Sequence, residues 1–149
     1  MTSKKAVITV LLISLFTHLL AQEHSSYNSK WYSVEYFHNS NTPYSVFSIN
    51  MNIKNKNVIG EFCYITRYGK RVDCNNKFSS TINNNKIYFD FNSSFGGKNG
   101  KAVITFLSNK KIQWKILKNP DGEFYAPRKM ILTNKTMKNN IEIKRNYDK

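Results

Sequence analysis

The ten residues Tyr44 to Ile53 read YSVFSINMNI, with Phe47, Ile49, Met51 and Ile53 at every second position and Ser48, Asn50 and Asn52 between them. A period of two sends alternate side chains to opposite faces of an extended strand, so one face of this run can be buried only within a sheet. The pattern recurs. WYSVEYFH (Trp31 to His38) sets Trp31, Ser33, Glu35 and Phe37 against Tyr32, Val34, Tyr36 and His38, and KIYFDF (Lys86 to Phe91) aligns Ile87, Phe89 and Phe91. Val58 to Thr66, Arg71 to Cys74, FSSTI, Lys101 to Leu107, Lys111 to Leu117 and Met130 to Thr133 are further runs rich in β-branched or aromatic residues.

Turn-forming residues separate these runs: NSNTP, KNKN, Asn83-Asn84-Asn85, SSFGGKNG, Ser108-Asn109-Lys110 and Asn119-Pro120-Asp121-Gly122. Asn and Gly suit such places because they tolerate positive φ. No helical period is evident after the N-terminal segment. The expectation is an all-β fold, an antiparallel meander of eight or nine short strands. Such a chain hides its edges by closing into a small up-and-down barrel or half-barrel, or by packing as a two-sheet sandwich.

Cys63 and Cys74, the only cysteines, lie five residues before Tyr68 and five after Gly69. If Tyr68-Gly69 is a two-residue hairpin loop, Arg67 faces Lys70, Thr66 faces Arg71 and Cys63 faces Cys74. Directly opposed residues have Cα atoms about 4.5–5.5 Å apart, which a disulfide tolerates. The pair is expected to staple a hairpin. No C-x-x-C or neighbouring histidine suggests redox or metal chemistry.

The N-terminus explains why a disulfide would persist. Lys4 and Lys5 precede an apolar run from Ala6 to Phe16, and Leu19-Leu20-Ala21 supplies a small residue for cleavage. This is the layout of a secretory signal peptide over residues 1–21. A single β domain over 22–133 and a polar tail over 134–149 would follow, with Ile141-Glu142-Ile143 offering a further edge strand. The expected location is exported, periplasmic or secreted, with no membrane span in the mature chain.

Without Lys4 and Lys5 the balance is 21 basic to 9 acidic residues, near +12. Such a surface attracts anionic partners. Over the whole sequence the basic residues are 19 Lys and only 4 Arg beside 20 Asn, a bias that AT-rich codon usage also produces. Phosphate-binding sites lean on the bidentate Arg fork, and no nucleic-acid motif accompanies the charge, so dedicated nucleic-acid binding is not expected.

Catalytic and metal sets are hard to assemble. His24 and His38 lack partners at ligand or triad spacing. Glu35 and Glu61 are a conceivable glycosidase-like pair if both face one interior, the one route to a hydrolase of envelope polymer. GGKNGK (Gly96 to Lys101) lacks the spacing and the Ser or Thr of a phosphate loop and leads into a strand. Asn92-Ser93-Ser94 and Asn134-Lys135-Thr136 match the glycosylation pattern, which an Asn-rich chain meets by chance. No cofactor or metal is implied. The aromatic residues are more informative, because they exceed what one small core must hold. Trp31, Tyr36, Tyr64, Tyr88, Trp114 and Tyr125 are candidate contacts to a partner, with core and sheet packing as the plainer account.

Gly100-Lys101-Ala102, Trp114, Gly122-Glu123-Phe124-Tyr125-Ala126-Pro127 and Leu132, after a hairpin carrying Gly60, Phe62, Cys63, Asp73 and Cys74, form a recognisable series. It resembles small exported proteins of Gram-negative bacteria that have no assigned function, with Phe124 in place of their usual Tyr. The resemblance implies envelope localisation and a β fold but no activity. The expected function is a non-catalytic exported binding module, monomeric, that recognises an envelope protein or anionic glycan, with an inhibitor or immunity protein as the more specific version. A hydrolase and a non-specific binder of anionic polymer are the alternatives.

Overall fold

A computed structural model describes residues 26–37 and 40–134. The expected signal peptide over 1–21, His24, His38 and the expected edge strand at Ile141–Ile143 lie outside the described residues. Within them the chain forms β1 (Ser26–Tyr36), β2 (Pro43–Lys54), β3 (Asn57–Thr66), β4 (Arg71–Asn83), β5 (Lys86–Phe91), β6 (Gly100–Ser108), β7 (Lys111–Lys118) and β8 (Lys129–Thr133). Each strand pairs antiparallel with the next, and β1 meets β8 through Tyr32 and Thr133 to close a barrel. The barrel, rather than the sandwich, is therefore the observed architecture. Eight strands result because Arg71–Cys74 and FSSTI are one long β4 running through Asn75-Asn76-Lys77.

Period-two faces map onto the barrel wall as the sequence predicts. Trp31 pairs with Ile49, and Ile49 with Phe62, all three directed inward and essentially sealed from solvent. Eight strands enclose just enough space for side chains to fill. Here rings fill it. Trp114 on β7 lies near the centre, with ring centroids 4.9 Å from Phe62, 5.2 Å from Phe47 and 5.8 Å from both Phe89 and Phe91. Its indole N–H donates to the Pro127 carbonyl at 2.6 Å, so the largest core residue leaves no polar atom stranded. Small residues make room for the bulk. A Cβ on Gly60 would lie 2.4 Å from the Phe78 ring and 2.8 Å from the Asn50 carbonyl oxygen.

The two ends of the barrel differ. At one end, two-residue turns join β2 to β3, β4 to β5 and β6 to β7. Asn55-Lys56 (φ 50° and 68°) and Asn84-Asn85 (φ 46° and 63°) adopt the left-handed geometry that matches strand twist. At the other end lie the 92–99 and 119–128 connections and the Arg67–Lys70 turn, whose central Tyr68 and Gly69 are also left-handed at φ 56° and 85°.

Cys63 and Cys74 are bonded, with Cα atoms 3.9 Å apart. The register from Thr66↔Arg71 to Tyr64↔Asp73 is that of the two-residue turn. It shifts by one beyond the disulfide, where Phe62 pairs with Asn76. The extra residue is Asn75, at φ 63°, so the disulfide sits beside a β-bulge.

Two stability outcomes follow from this packing. Replacing both cysteines by serine should lower stability in urea unfolding by about 2–3 kcal/mol, the value expected for a short closed loop. Gly60→Ala should cost about 1–3 kcal/mol in the same assay, because the added methyl must displace the Phe78 ring or the β2 backbone.

Candidate functional site

The long-loop end is built around a carboxylate. Asp73 continues the inward face of β4 and has no solvent exposure. Among the described residues its oxygens accept hydrogen bonds from five donors. Oδ1 receives Asn76 Nδ2 at 2.9 Å, the Ser94 backbone N–H at 3.0 Å and the Ser94 hydroxyl at 2.8 Å. Oδ2 receives the Ser93 hydroxyl at 2.8 Å and the Tyr125 backbone N–H at 3.1 Å. One side chain thus ties β4 to both long loops. Burial alone would raise the carboxyl pKa; the combined donors, from Asn76, Tyr125, Ser93 and Ser94, outweigh it and hold the pKa below the ordinary carboxylate value.

The two loops are also joined directly. Gly97 N–H donates to the Glu123 carbonyl at 3.0 Å, while Lys98 and Asp121 exchange backbone hydrogen bonds at 3.0 and 2.7 Å. GGKNGK therefore serves as a backbone strap. A Cβ at Gly97 would lie 2.6 Å from the Glu123 carbonyl oxygen, which explains glycine at that position.

Two aromatic groups flank the Arg67–Lys70 turn. Phe37, Tyr44 and Tyr68 pack together, with centroids 6.0 Å between Phe37 and Tyr44, 6.5 Å between Phe37 and Tyr68, and 5.4 Å between Tyr44 and Tyr68. Phe37 and Tyr68 remain 55% and 50% exposed, and Tyr68 N–H donates to the Tyr44 carbonyl at 3.2 Å. On the other side, Phe95 meets Tyr125 edge-on at 4.4 Å, and the Arg71 guanidinium lies 4.3 Å above the Tyr125 ring. Glu123 accepts a hydrogen bond from the Tyr125 hydroxyl, which pushes the phenol pKa up. Glu123 also approaches Arg71 at 3.7 Å. Tyr68 in the turn and Arg71 at the start of β4 belong to one hairpin, so both groups lie at the same end of the barrel.

The aromatic candidates from the sequence do not share a surface. Trp31 and Trp114 are core residues, 2% and 0% exposed, and are covered by the barrel wall. Tyr64 packs against the core beside Phe47. Tyr36 and Tyr88 are exposed, but Tyr88 lies on β5 and pairs with Val103 of β6, away from the rim. Tyr125 alone of the six belongs to the ring and arginine group described above. Glu35 lies on the Trp31 face of β1 but at its exposed end, where it accepts from the Ser45 hydroxyl, while Glu61 alternates with the buried Gly60 and Phe62 and accepts from Asn50 at 3.2 Å. Opposite sides of the wall separate the two carboxylates, so they do not flank one bond. Phe37, Tyr44, Tyr68, Arg71 and Asp73 carry no site motif in the sequence; the available signals are the place of Tyr68 at the hairpin tip and of Asp73 beside Cys74.

No protein family, curated protein or solved structure matches the chain. Among the described residues no group of His, Cys, Asp or Glu is placed to hold a metal ion, and no helix is long and apolar enough to cross a membrane. The disulfide is consistent with an oxidising compartment.

Asp73→Asn should cost about 2–4 kcal/mol, because its amide would turn N–H groups toward the Ser93 hydroxyl and Tyr125 N–H donors. The folded pKa of Asp73 lies below its unfolded value, so its stabilisation is full at neutral pH. It is lost as pH falls from about 4, the unfolded value, down through the folded one. Urea midpoints measured from pH 7 to pH 2 should fall more steeply for the native sequence than for Asp73→Asn over that acidic window.

Proposed function

We propose that this protein is a non-catalytic binding module, exported to the periplasm or secreted, that recognises an envelope protein through the long-loop rim. Inhibition of an envelope enzyme or immunity to an effector is the particular role that suits it. The rim of Phe37, Tyr44 and Tyr68 beside Arg67 carries this reading: partly exposed aromatic rings next to arginine at a hairpin tip. Tyr and Arg are the residue types that dominate protein interfaces. The mount is rigid, since the disulfide staples the hairpin below the tip and Asp73 locks its base to both long loops. Binding through a pre-organised surface loses less conformational entropy than binding through a free loop. The N-terminal signal-like segment and the resemblance to small exported envelope proteins support the location. The charge near +12 favours an acidic partner over a basic one.

Affinity capture from an envelope extract of the source organism, with the oxidised protein as bait, tests this reading. The expected result is a stoichiometric protein retained at high salt and lost when Tyr44→Ala and Tyr68→Ala are combined, a change of at least about tenfold in affinity. Capture of anionic polymer alone, released as salt rises, would overturn it and leave the charge as the binding determinant.

A further inference from the structure

The Arg71 side chain is held in an unusual balance. Its guanidinium is stacked on Tyr125, and its carboxylate neighbour Glu123 stands 3.7 Å away, too far for a hydrogen bond. Charge-assisted N–H···O contacts normally close to about 2.7–2.9 Å, and arginine favours a two-pronged grip on carboxylate. Glu123 is already engaged by the Tyr125 hydroxyl and is well exposed, so its attraction for Arg71 is weak and screened. The arginine, by contrast, is only about one-third exposed, with its face fixed by the ring. It is positioned for an anion that the chain itself supplies poorly.

We propose that Arg71 on Tyr125 is a receptor for an acidic side chain of the partner protein, with Glu123 as a resident stand-in that the incoming carboxylate displaces. The proposal rests on the reading of the rim as a protein-binding surface and identifies its polar anchor. Displacement frees Glu123 into solvent and lets the partner's carboxylate form the paired N–H···O contacts that Glu123 does not make. A protein side chain is favoured over an anionic sugar because the rim rings pack edge-on, Tyr44 against Tyr68 at 87° and Phe95 against Tyr125 at 85°. Near-perpendicular neighbours do not form one continuous flat platform for a pyranose to stack on.

The test uses a blocked hexaglutamate peptide as probe, hexaglutamine as control, and the Arg71 side-chain N–H signal in NMR titrations of the disulfide-bonded protein. Hexaglutamate should shift that signal and hexaglutamine should not. Glu123→Gln should tighten hexaglutamate binding about threefold, the effect of removing a weak exposed competitor. Glu61→Gln makes the same change of charge on the outer wall and should leave affinity unaltered. Arg71→Lys keeps the charge but not the fork, and should weaken binding at least threefold with the thermal melt preserved. Equal affinity for Glu123→Gln and Glu61→Gln would overturn the proposal, as would an Arg71 signal that does not move. Loss of the captured envelope protein on changing Tyr44 and Tyr68, together with that negative result, would sink the carboxylate site and leave the binding reading intact. Capture that survives the Tyr44 and Tyr68 changes would instead count against the rim itself.

Discussion

A carboxylate with no exposed surface organises one end of this barrel. Asp73 is costly to bury, and donors from Asn76, Ser93, Ser94 and Tyr125 outweigh that cost. Those donors come from β4 and from two loops distant in sequence, so the folding of the loops and the solvation of the charge are one event. Tyr125, Glu123 and Phe95 acquire fixed positions because their loops terminate on this group. Arg71, two residues earlier on the same strand, acquires its ring partner through the same tie.

The barrel interior sets a second constraint. Trp31, Phe47, Phe62, Phe89, Phe91 and Trp114 occupy the space that a ligand would need in a barrel of this size. The proposed recognition surface is accordingly the rim rather than the interior. A filled core is also stiff, so the hairpin tip that carries Tyr68 is mounted on a rigid wall. The bulge at Asn75 and the adjoining disulfide bend and brace β4 where it approaches the rim. Covalent and polar restraint therefore converge on the same few residues.

Much of the architecture was legible from local pattern. The alternation in Tyr44–Ile53 and Lys86–Phe91 predicted which side chains face inward, and the spacing of the cysteines predicted the turn register. The continuity of β4 was harder to see, because Asn75-Asn76-Lys77 looks like a break. In the folded chain Asn75 is taken up by a bulge and Asn76 is turned inward to Asp73. Aromatic residues were the least readable. Trp31 and Phe37 share a face by periodicity, yet one lies in the core and the other on the rim, since depth along the barrel has no signature in alternation.

What the sequence determined by itself was local: strands, left-handed turns, the stapled hairpin and the chemical character of an all-β, strongly basic chain. These depend on steric preferences of residues close in the chain, and on burial of one face of each strand. Tertiary structure decided what lay beyond such ranges. It closed β1 onto β8, placed Glu35 and Glu61 on opposite sides of the wall, and brought Arg71 beneath Tyr125, more than fifty residues away in sequence. Each outcome follows from strand register around a closed barrel, a property of all eight strands together that no single segment encodes.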